Sequence, residues 1–174
     1  MTHVTSKVCV VGDFAVGKTS VTERFVNNHF SGKYLSTVGV KIDTREIEFP
    51  ALDVTHKLVI WDVAGADEFG PTEFAYLRGA QGYVYVADGT RPETLAAVEH
   101  LHSQITGKYG AAPFVLLVNK RDLSEEWSVS DEYLDALTRA YGNVYRTSAK
   151  TGDDVGEALT RLAEMIIDQE LRGA

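Results

Sequence analysis

Positive charge is scarce in this sequence. Its 25 aspartate and glutamate residues outnumber its 17 lysines and arginines, which gives a formal net charge of −8 at pH 7. Nucleic acids and anionic membrane surfaces attract proteins that present clustered Lys and Arg. We therefore expect no nucleic-acid partner. Any anionic ligand has to be held by a few locally placed positive groups rather than by the net charge of the protein.

Cysteine is nearly absent as well. The single cysteine, Cys9, cannot form an intramolecular disulfide, which suits a reducing compartment and leads us to expect a cytoplasmic protein. Cys9 lies in the apolar run Val8–Val11, as a buried strand residue would, and a reactive thiol is the alternative interpretation. The five histidines show no metal-ligand spacing, and we expect them at the surface.

Membrane-targeting signals are also lacking. The sequence contains no signal peptide and no apolar run that is long enough to cross a bilayer. Position 2 is not glycine, and the sequence ends Leu171-Arg172-Gly173-Ala174 without a cysteine, so neither myristoylation nor prenylation is encoded in it. We expect no direct lipid anchor and membrane recruitment only through a partner protein.

Apolar runs alternate with helical patterns along the chain. No internal repeat or low-complexity linker interrupts them, so we expect a single domain over residues 1–174. The alternation predicts an open, mostly parallel α/β sheet with right-handed crossovers, in which ligands bind beyond the carboxyl ends of the strands. The predicted strands are Lys7–Val11, Val40–Phe49, Lys57–Trp61 (joined to the preceding strand by a hairpin around Pro50–Asp53), Gly82–Ala87, Pro113–Val118 and Asn143–Arg146. The predicted helices are Lys18–Asn27, Pro71–Arg78, Arg91–Lys108, Ser130–Tyr141 and Gly152–Leu171.

The segment Gly12–Thr19 matches the phosphate-binding pattern G-x-x-x-x-G-K-[ST]. It follows an apolar strand and opens a predicted helix, which is the context that the pattern requires. The glycines let successive backbone N–H groups converge on phosphate oxygens, and the helix N-terminus adds partial positive charge. Lys18 is predicted to reach the β- and γ-phosphates, and the Thr19 hydroxyl to ligate Mg²⁺. An ordinary glycine-rich turn is the alternative that this context disfavours.

A second pattern, Asp62-Val63-Ala64-Gly65, follows the predicted strand that ends at Trp61. A carboxylate at this position is suited to hold a Mg²⁺-bound water, and the Gly65 N–H is suited to a γ-phosphate. Taken alone, the pattern favours an aspartate that caps the next turn. Its place after an apolar strand and downstream of the phosphate loop favours the metal-binding role instead.

A third pattern, Asn119-Lys120-Arg121-Asp122, follows the apolar strand that ends at Val118. The Asp122 carboxylate can accept hydrogen bonds from N1–H and the 2-amino group of guanine, whereas adenine would leave it unpaired. Asn119 is predicted to fix the loop and touch the base edge, and the Lys120 stem to lie along the base. A solvated helix-capping loop is the alternative for this tetrapeptide alone. The companion segment Thr147–Lys150 follows the last strand and could offer a backbone N–H to the base carbonyl.

In this order, and each at a strand end, these motifs resemble the small GTPases of the Ras superfamily, most closely the Rab-like branch. The resemblance runs from about Lys7 to Leu171. It implies a three-layer P-loop GTPase fold, with a mostly parallel six-stranded sheet and helices on both faces. It also implies that Tyr34–Val40 is the first switch, in which the Thr37 hydroxyl binds Mg²⁺ and the Thr37 N–H binds the γ-phosphate only in the GTP state. Phe30 matches the aromatic residue that packs against guanine, although the pattern alone indicates a core residue.

The function that the resemblance implies is a molecular switch. It would bind GTP or GDP with Mg²⁺, hydrolyse GTP, and present switch regions near Thr37 and Gly65 to protein effectors and regulators. The implied catalytic residues are Lys18, Thr37 and Gly65, and the implied metal ligands are Thr19, Thr37 and Asp62. The implied nucleotide-binding residues are Asp13, Ala15, Val16, Gly17, Lys18, Thr19, Ser20, Phe30, Tyr34, Thr37, Gly65, Asn119, Lys120, Asp122, Ser148, Ala149 and Lys150.

Two residues depart from the family pattern where hydrolysis would occur. The family usually places a water-orienting glutamine where this chain has Ala66, and a small residue where it has Phe14. We therefore expect slow unaided hydrolysis, and we expect Phe14 to block the arginine finger of an activating partner. The alternative is that Phe14 points outward or packs on Ala66, while Asp67, Glu68 or a partner's residue replaces the glutamine.

Two competing functions follow from the same residues. With catalysis crippled at Phe14 and Ala66, the chain would stay GTP-bound and act as a nucleotide-dependent binding module. A P-loop nucleotide kinase would need an arginine-rich lid and a base for its acceptor substrate. The sequence shows neither, and Asn119–Asp122 favours guanine.

Overall fold

A β-sheet lies at the centre of the computed structural model, which describes residues 1–32, 39–65 and 69–173. Within these residues the strands are β1 (Thr2–Gly12), β2 (Val40–Phe49), β3 (Val54–Val63), β4 (Gly82–Asp88), β5 (Phe114–Asn119) and β6 (Val144–Arg146). The six strands are ordered β2-β3-β1-β4-β5-β6. The β2–β3 pair is antiparallel and each other neighbouring pair is parallel. The predicted mostly parallel six-stranded sheet is confirmed.

Helices cover both faces of this sheet. They are α1 (Lys18–Asn27), α2 (Pro71–Tyr76), α3 (Glu93–Tyr109), α4 (Asp131–Tyr141) and α5 (Val155–Gly173). Because side chains alternate along a strand, β1 supplies two cores. Val8 and Val10 pack in one core with buried residues of α1 and α5. Cys9 and Val11 pack in the other with residues of α3 and α4. Burial on both faces explains the continuous apolar runs of the central strands.

Two strands are longer than the apolar runs that predicted them. β1 begins at Thr2 rather than Lys7, and β3 spans Val54–Val63 rather than Lys57–Trp61. The first residues of the two strands pair with each other, from Thr2 with Val54 to Val4 with His56. Thr2 and His3 are polar and exposed, so the hydrophobic pattern could not reveal a pairing that backbone hydrogen bonds make. A 3₁₀ turn at Pro50–Leu52 joins β2 to β3 and confirms the predicted hairpin.

The helices α4 and α5 begin later than predicted, because the turns before them determine their first residues. The Ser130 side chain accepts a hydrogen bond from the Tyr133 N–H, so Ser130 caps α4 rather than belonging to it. Gly152 and Asp154 both have positive φ, which delays the start of α5 to Val155. Among the described helices, none has the length and apolar composition that a bilayer-spanning segment needs.

The burial of Cys9 and of two histidines tests the predictions made for these residues. Cys9 is fully buried, and burial raises the pKa of its thiol to about 12, which confirms the strand-residue interpretation over a reactive thiol. The expectation that the histidines lie at the surface is wrong for His56. This side chain is fully buried, and its Nε2 lies 2.8 Å from Ser6 Oγ. His102 is half-buried, with its ring 4.6 Å from that of Phe114.

Candidate functional site

The loop between β1 and α1 requires glycine at two points. A Cβ on Gly12 would lie 2.2 Å from the carbonyl oxygen of Val86, which belongs to the neighbouring strand β4. Gly17 has a φ of 103°, and a Cβ there would lie 2.3 Å from Asn119 Nδ2. Both distances are too short for any side chain, so the glycines allow this loop to pack directly against β4 and against the end of β5.

A cavity of about 710 Å³ lies beside this loop. Small-molecule sites commonly occupy roughly 300–1,000 Å³, so the cavity has room for a ligand of nucleotide size. Its walls come from the loops after β1, β3, β5 and β6, which is the end of the sheet where this architecture places ligands. The predicted site residues that line it are Ala15, Gly17, Lys18, Thr19, Ser20, Phe30, Gly65, Asn119, Lys120, Asp122, Ala149 and Lys150.

Four other predicted residues in the described part of the chain are not among those that line the cavity. Asp13, Val16, Asp62 and Ser148 each form a hydrogen bond with a residue that does. Tyr34, Thr37 and Ala66 lie outside the described residues, so the roles assigned to them stay predictions.

Lys18 lines the cavity, and only 6% of the residue is exposed. Its Nζ donates to the Asp13 carbonyl at 2.7 Å. Burial lowers the pKa of Lys18 from 10.5 to about 8, and the negative charges of Asp62 and Asp13 oppose that effect. A Cβ on Gly65 would lie 2.6 Å from Lys18 Nζ, so glycine at this position allows the loop after β3 to approach the ammonium. A buried cation facing a cavity is suited to bind phosphate.

Thr19 and Asp62 form the candidate metal site. The Thr19 hydroxyl donates to Asp62 Oδ2 at 2.6 Å, and Asp62 is fully buried beneath it. Hydroxyl and carboxylate oxygens are the ligands that Mg²⁺ prefers, and proteins usually bind it through one or two such groups together with phosphates. Among the described residues there is no group of three or more His, Cys, Asp or Glu side chains that could hold a metal by itself. These residues therefore fit Mg²⁺ that is shared with a phosphate ligand.

Asn119 connects the phosphate end of the cavity with its other end. Its Nδ2 donates to the Val16 carbonyl at 3.1 Å. Its Oδ1 accepts from the Thr147 hydroxyl and from the Ala149 N–H, both at 3.2 Å. One buried amide thus fixes the loops that follow β1 and β6 relative to the end of β5. The predicted loop-fixing role of Asn119 has a direct structural basis.

Asp122 lines the same cavity as Lys18. Its Oδ1 accepts from the Ser148 hydroxyl at 2.8 Å. This contact orients the carboxylate, whose other oxygen is available to a ligand in the cavity that it lines. The arrangement supports the predicted reading of guanine, because a carboxylate can accept two adjacent N–H donors from that base.

Comparison with known proteins agrees with this geometry. The model of the Ras family matches residues 7–168. The chain belongs to the Ras family. It is 33% identical over 163 residues to Ras-related protein Rab-13 of Bos taurus, and the alignment covers 92% of this chain and 79% of that protein. It is 35% identical over 176 residues to Ras-related protein Rab-32A of Dictyostelium discoideum, covering 95% and 80%. It is 36% identical over 168 residues to Ras-related protein Rab-1 of Theileria parva, covering 94% and 74%.

These relatives confirm a Rab-like small GTPase with the P-loop fold. The Ras-family chain is thereby a GTP-binding protein of a class that hydrolyses GTP and interacts with protein effectors and regulators. The roles of single residues rest on the contacts given above and stay predictions.

Several residues of the site belong to none of the motifs. Glu23, His29, Ser31, Gly32, Lys41 and Leu123 also line the cavity. Arg24 Nε donates to the Ala149 carbonyl at 2.8 Å, and an Arg91 guanidinium nitrogen donates to the Phe14 carbonyl at 2.7 Å. These partners are 125 and 77 residues apart in sequence, so no local pattern could have revealed them.

Proposed function

We propose that this Ras-family chain is a Mg²⁺-dependent GTP/GDP switch whose own hydrolysis of GTP is slow. The observation that carries the proposal is the position of Phe14. Its side chain is 45% exposed and lines the same cavity as Lys18 and Gly65. A bulky aromatic residue therefore belongs to the wall of the cavity that Lys18 and Gly65 also line.

The binding half of the proposal follows from the charges around the cavity. Lys18 would neutralise phosphate oxygens, since its buried ammonium lacks the screening of bulk water. Thr19, Asp62 and Thr37 would hold Mg²⁺, which, when bound, neutralises charge on the phosphates. The Gly65 N–H and the Thr37 N–H would recognise the γ-phosphate and so distinguish GTP from GDP. Effectors and regulators would then bind the two switch regions in their GTP-dependent arrangement.

The proposal that hydrolysis is slow follows from the side chains present at Phe14 and Ala66. A methyl side chain at residue 66 offers no group that could orient an attacking water. Phe14 lines the cavity, where we expect its ring to crowd an incoming guanidinium. Lys18 and the proposed metal ligands match the family pattern, so the departures at Phe14 and Ala66 should affect hydrolysis and not nucleotide binding. We infer that affinity for GTP is retained while the rate of its cleavage is low.

Single-turnover hydrolysis tests this proposal directly. Wild type, Ala66→Gln, Phe14→Gly and the double variant would be loaded with GTP and Mg²⁺, and phosphate release would be followed. We expect the double variant to be on the order of tenfold or more faster than wild type, which corresponds to lowering the barrier by about 1.4 kcal/mol. Ala111→Gln, at an exposed position away from the cavity, is the control for an added glutamine. A fast wild type, or no gain in any variant, would show the proposal to be wrong.

The same observation favours one alternative, a binding module that stays loaded with GTP. If cleavage is slower than the lifetime of the complex, GTP accumulates on the protein and the switch regions stay in one state. The nucleotide content of freshly purified protein separates the two functions. Mostly GDP supports the switch, and mostly GTP supports the module.

A further inference from the structure

Arg91 joins two parts of the molecule that are far apart in sequence. It lies just before α3, in the turn that follows β4. Its Nε donates to Asp88 Oδ2 at 3.1 Å, and a terminal nitrogen of the same guanidinium donates to the Phe14 carbonyl at 2.7 Å. The planar guanidinium can bridge two acceptors in a fixed geometry, which the ammonium of a lysine cannot. Arg91 therefore links the phosphate loop to the end of β4.

Asp88 provides a fixed base for this link. Only 1% of its side chain is exposed, and it also accepts from Lys120 Nζ at 2.9 Å and from the Thr90 hydroxyl at 2.7 Å. Burial alone would raise the pKa of Asp88, but the hydrogen bonds from Thr90, Lys120 and Arg91 outweigh it and hold the pKa below its usual value. The carboxylate is thus held in its charged form, and Arg91 is one of the two cations that compensate this buried charge.

The turn that carries Arg91 is itself held firmly. The Thr94 hydroxyl donates to the Arg91 carbonyl at 2.7 Å. The Gly89 N–H donates to the Asn119 carbonyl at 2.9 Å. A Cβ on Gly89 would lie 2.1 Å from the Trp127 ring, so this ring packs directly on the backbone of the turn. A guanidinium anchored in this way can restrict the loop that it contacts.

Arg91 and Lys120 hold successive carbonyls of the phosphate loop. Arg91 holds that of Phe14, and Lys120 Nζ donates to that of Ala15 at 2.9 Å. These two contacts restrain the backbone of the loop at successive residues. A loop fixed in this way before a ligand arrives loses less conformational entropy on binding.

We propose that Arg91 is a positioning residue that fixes the phosphate loop at Phe14 and thereby slows the release of guanine nucleotide. The inference rests on the nucleotide pocket proposed above and adds a determinant that lies outside its motifs. Because the loop contacts the phosphates and not the base, the effect depends on the number of phosphates in the ligand. The same contact restrains the backbone of Phe14, the residue whose side chain we propose to slow hydrolysis.

The test compares Arg91→Gln with wild type by the dissociation rate and the affinity of GDP, and by the affinity of GMP in competition. We expect GDP to dissociate about tenfold faster from Arg91→Gln, a change of about 1.4 kcal/mol. We expect GMP affinity to change less than twofold, so that the GDP-to-GMP affinity ratio falls. A residue needed only for folding would weaken both ligands equally. Arg161→Gln is the matched control, because Arg161 is an exposed residue of α5 whose partner is Glu164.

Arg91→Lys is the second variant, and it tests the positioning role of Arg91 if Arg91→Gln does not fold. A lysine keeps the charge but has a single ammonium on a shorter side chain in place of the two nitrogens that reach Asp88 and the Phe14 carbonyl, so GDP release is expected to be about threefold faster. GDP dissociation within twofold of wild type in the folded variant, or equal losses for GDP and GMP, would overturn the inference alone. Absence of GDP binding by the wild type would overturn the proposed nucleotide site instead.

Discussion

Replacing Asn119 by alanine should destabilise the fold and the nucleotide site together. Asn119 is only 2% exposed, and its amide has three partners: the Val16 carbonyl, the Thr147 hydroxyl and the Ala149 N–H. Asn119→Ala removes all three contacts and leaves the partners behind. Two of them are backbone groups, which cannot turn away to find other partners.

The size of the effect follows from these partners. A buried polar group left without a hydrogen bond costs about 1–3 kcal/mol. The Thr147 hydroxyl can rotate, and the adjoining cavity admits water to part of the site, so the full sum is not expected. We therefore expect Asn119→Ala to lower the free energy of unfolding by about 2–4 kcal/mol. We also expect faster GDP release, because the loops after β1 and β6 lose their common anchor.

Urea denaturation of nucleotide-free protein measures the first effect, and displacement of a fluorescent GDP analogue measures the second. Nucleotide must be removed, because bound ligand adds its own stabilisation to the folded state. Asn27→Ala is the matched control. Asn27 is exposed on α1, and its loss should change the free energy of unfolding by less than about 0.5 kcal/mol. A loss below about 1 kcal/mol for Asn119→Ala, with an unchanged denaturant slope, would refute the reasoning.

Three further predictions concern the base, the metal and a buried histidine. Asp122→Asn should weaken GTP and favour xanthine nucleotides, because an amide no longer accepts two N–H donors; unchanged GTP affinity in a competition assay would contradict this role. Asp62→Asn should make GDP release fast and insensitive to EDTA, whereas release from wild type should accelerate on chelation; equal EDTA responses would exclude Asp62 as a metal ligand. Burial lowers the pKa of His56 from 6.5 although Glu170 opposes this, so the unfolded chain binds the proton first as pH falls. Stability should therefore decline on acidification below about pH 6.5, and His56→Gln should lose less than wild type in urea denaturation between about pH 7.5 and 5.5.

The contacts of the site explain why binding and hydrolysis can diverge in one chain. The groups that we propose to hold phosphate and metal, Lys18, Thr19 and Asp62, form short hydrogen bonds, and Lys18 and Asp62 are buried. Phe14 changes only the wall of the cavity, and its backbone stays tied to Arg91. A substitution at this wall can therefore alter cleavage without removing the nucleotide site.

The sequence by itself determined those features that depend on neighbouring residues. A glycine-rich turn between a strand and a helix, the apolar runs of β4 and β5, and a polar segment at each strand end all act over a few residues. The spacing of Gly12, Gly17 and Lys18 was therefore sufficient to predict the loop, and the strand-end rule was sufficient to predict that the motifs meet. Side-chain periodicity likewise predicted helices close to their observed bounds.

Only the tertiary structure decided which distant groups hold that loop in place. The burial of His56, the anchoring of Arg91 by Asp88 and the contact from Arg91 to the Phe14 carbonyl join segments that share no sequence pattern. An arginine in a polar turn has the same local appearance whether it faces solvent or a backbone carbonyl of another loop. Strand order and side-chain packing make that difference. They bring the turn after β4 beside the loop after β1, because β1 and β4 are neighbours in the sheet.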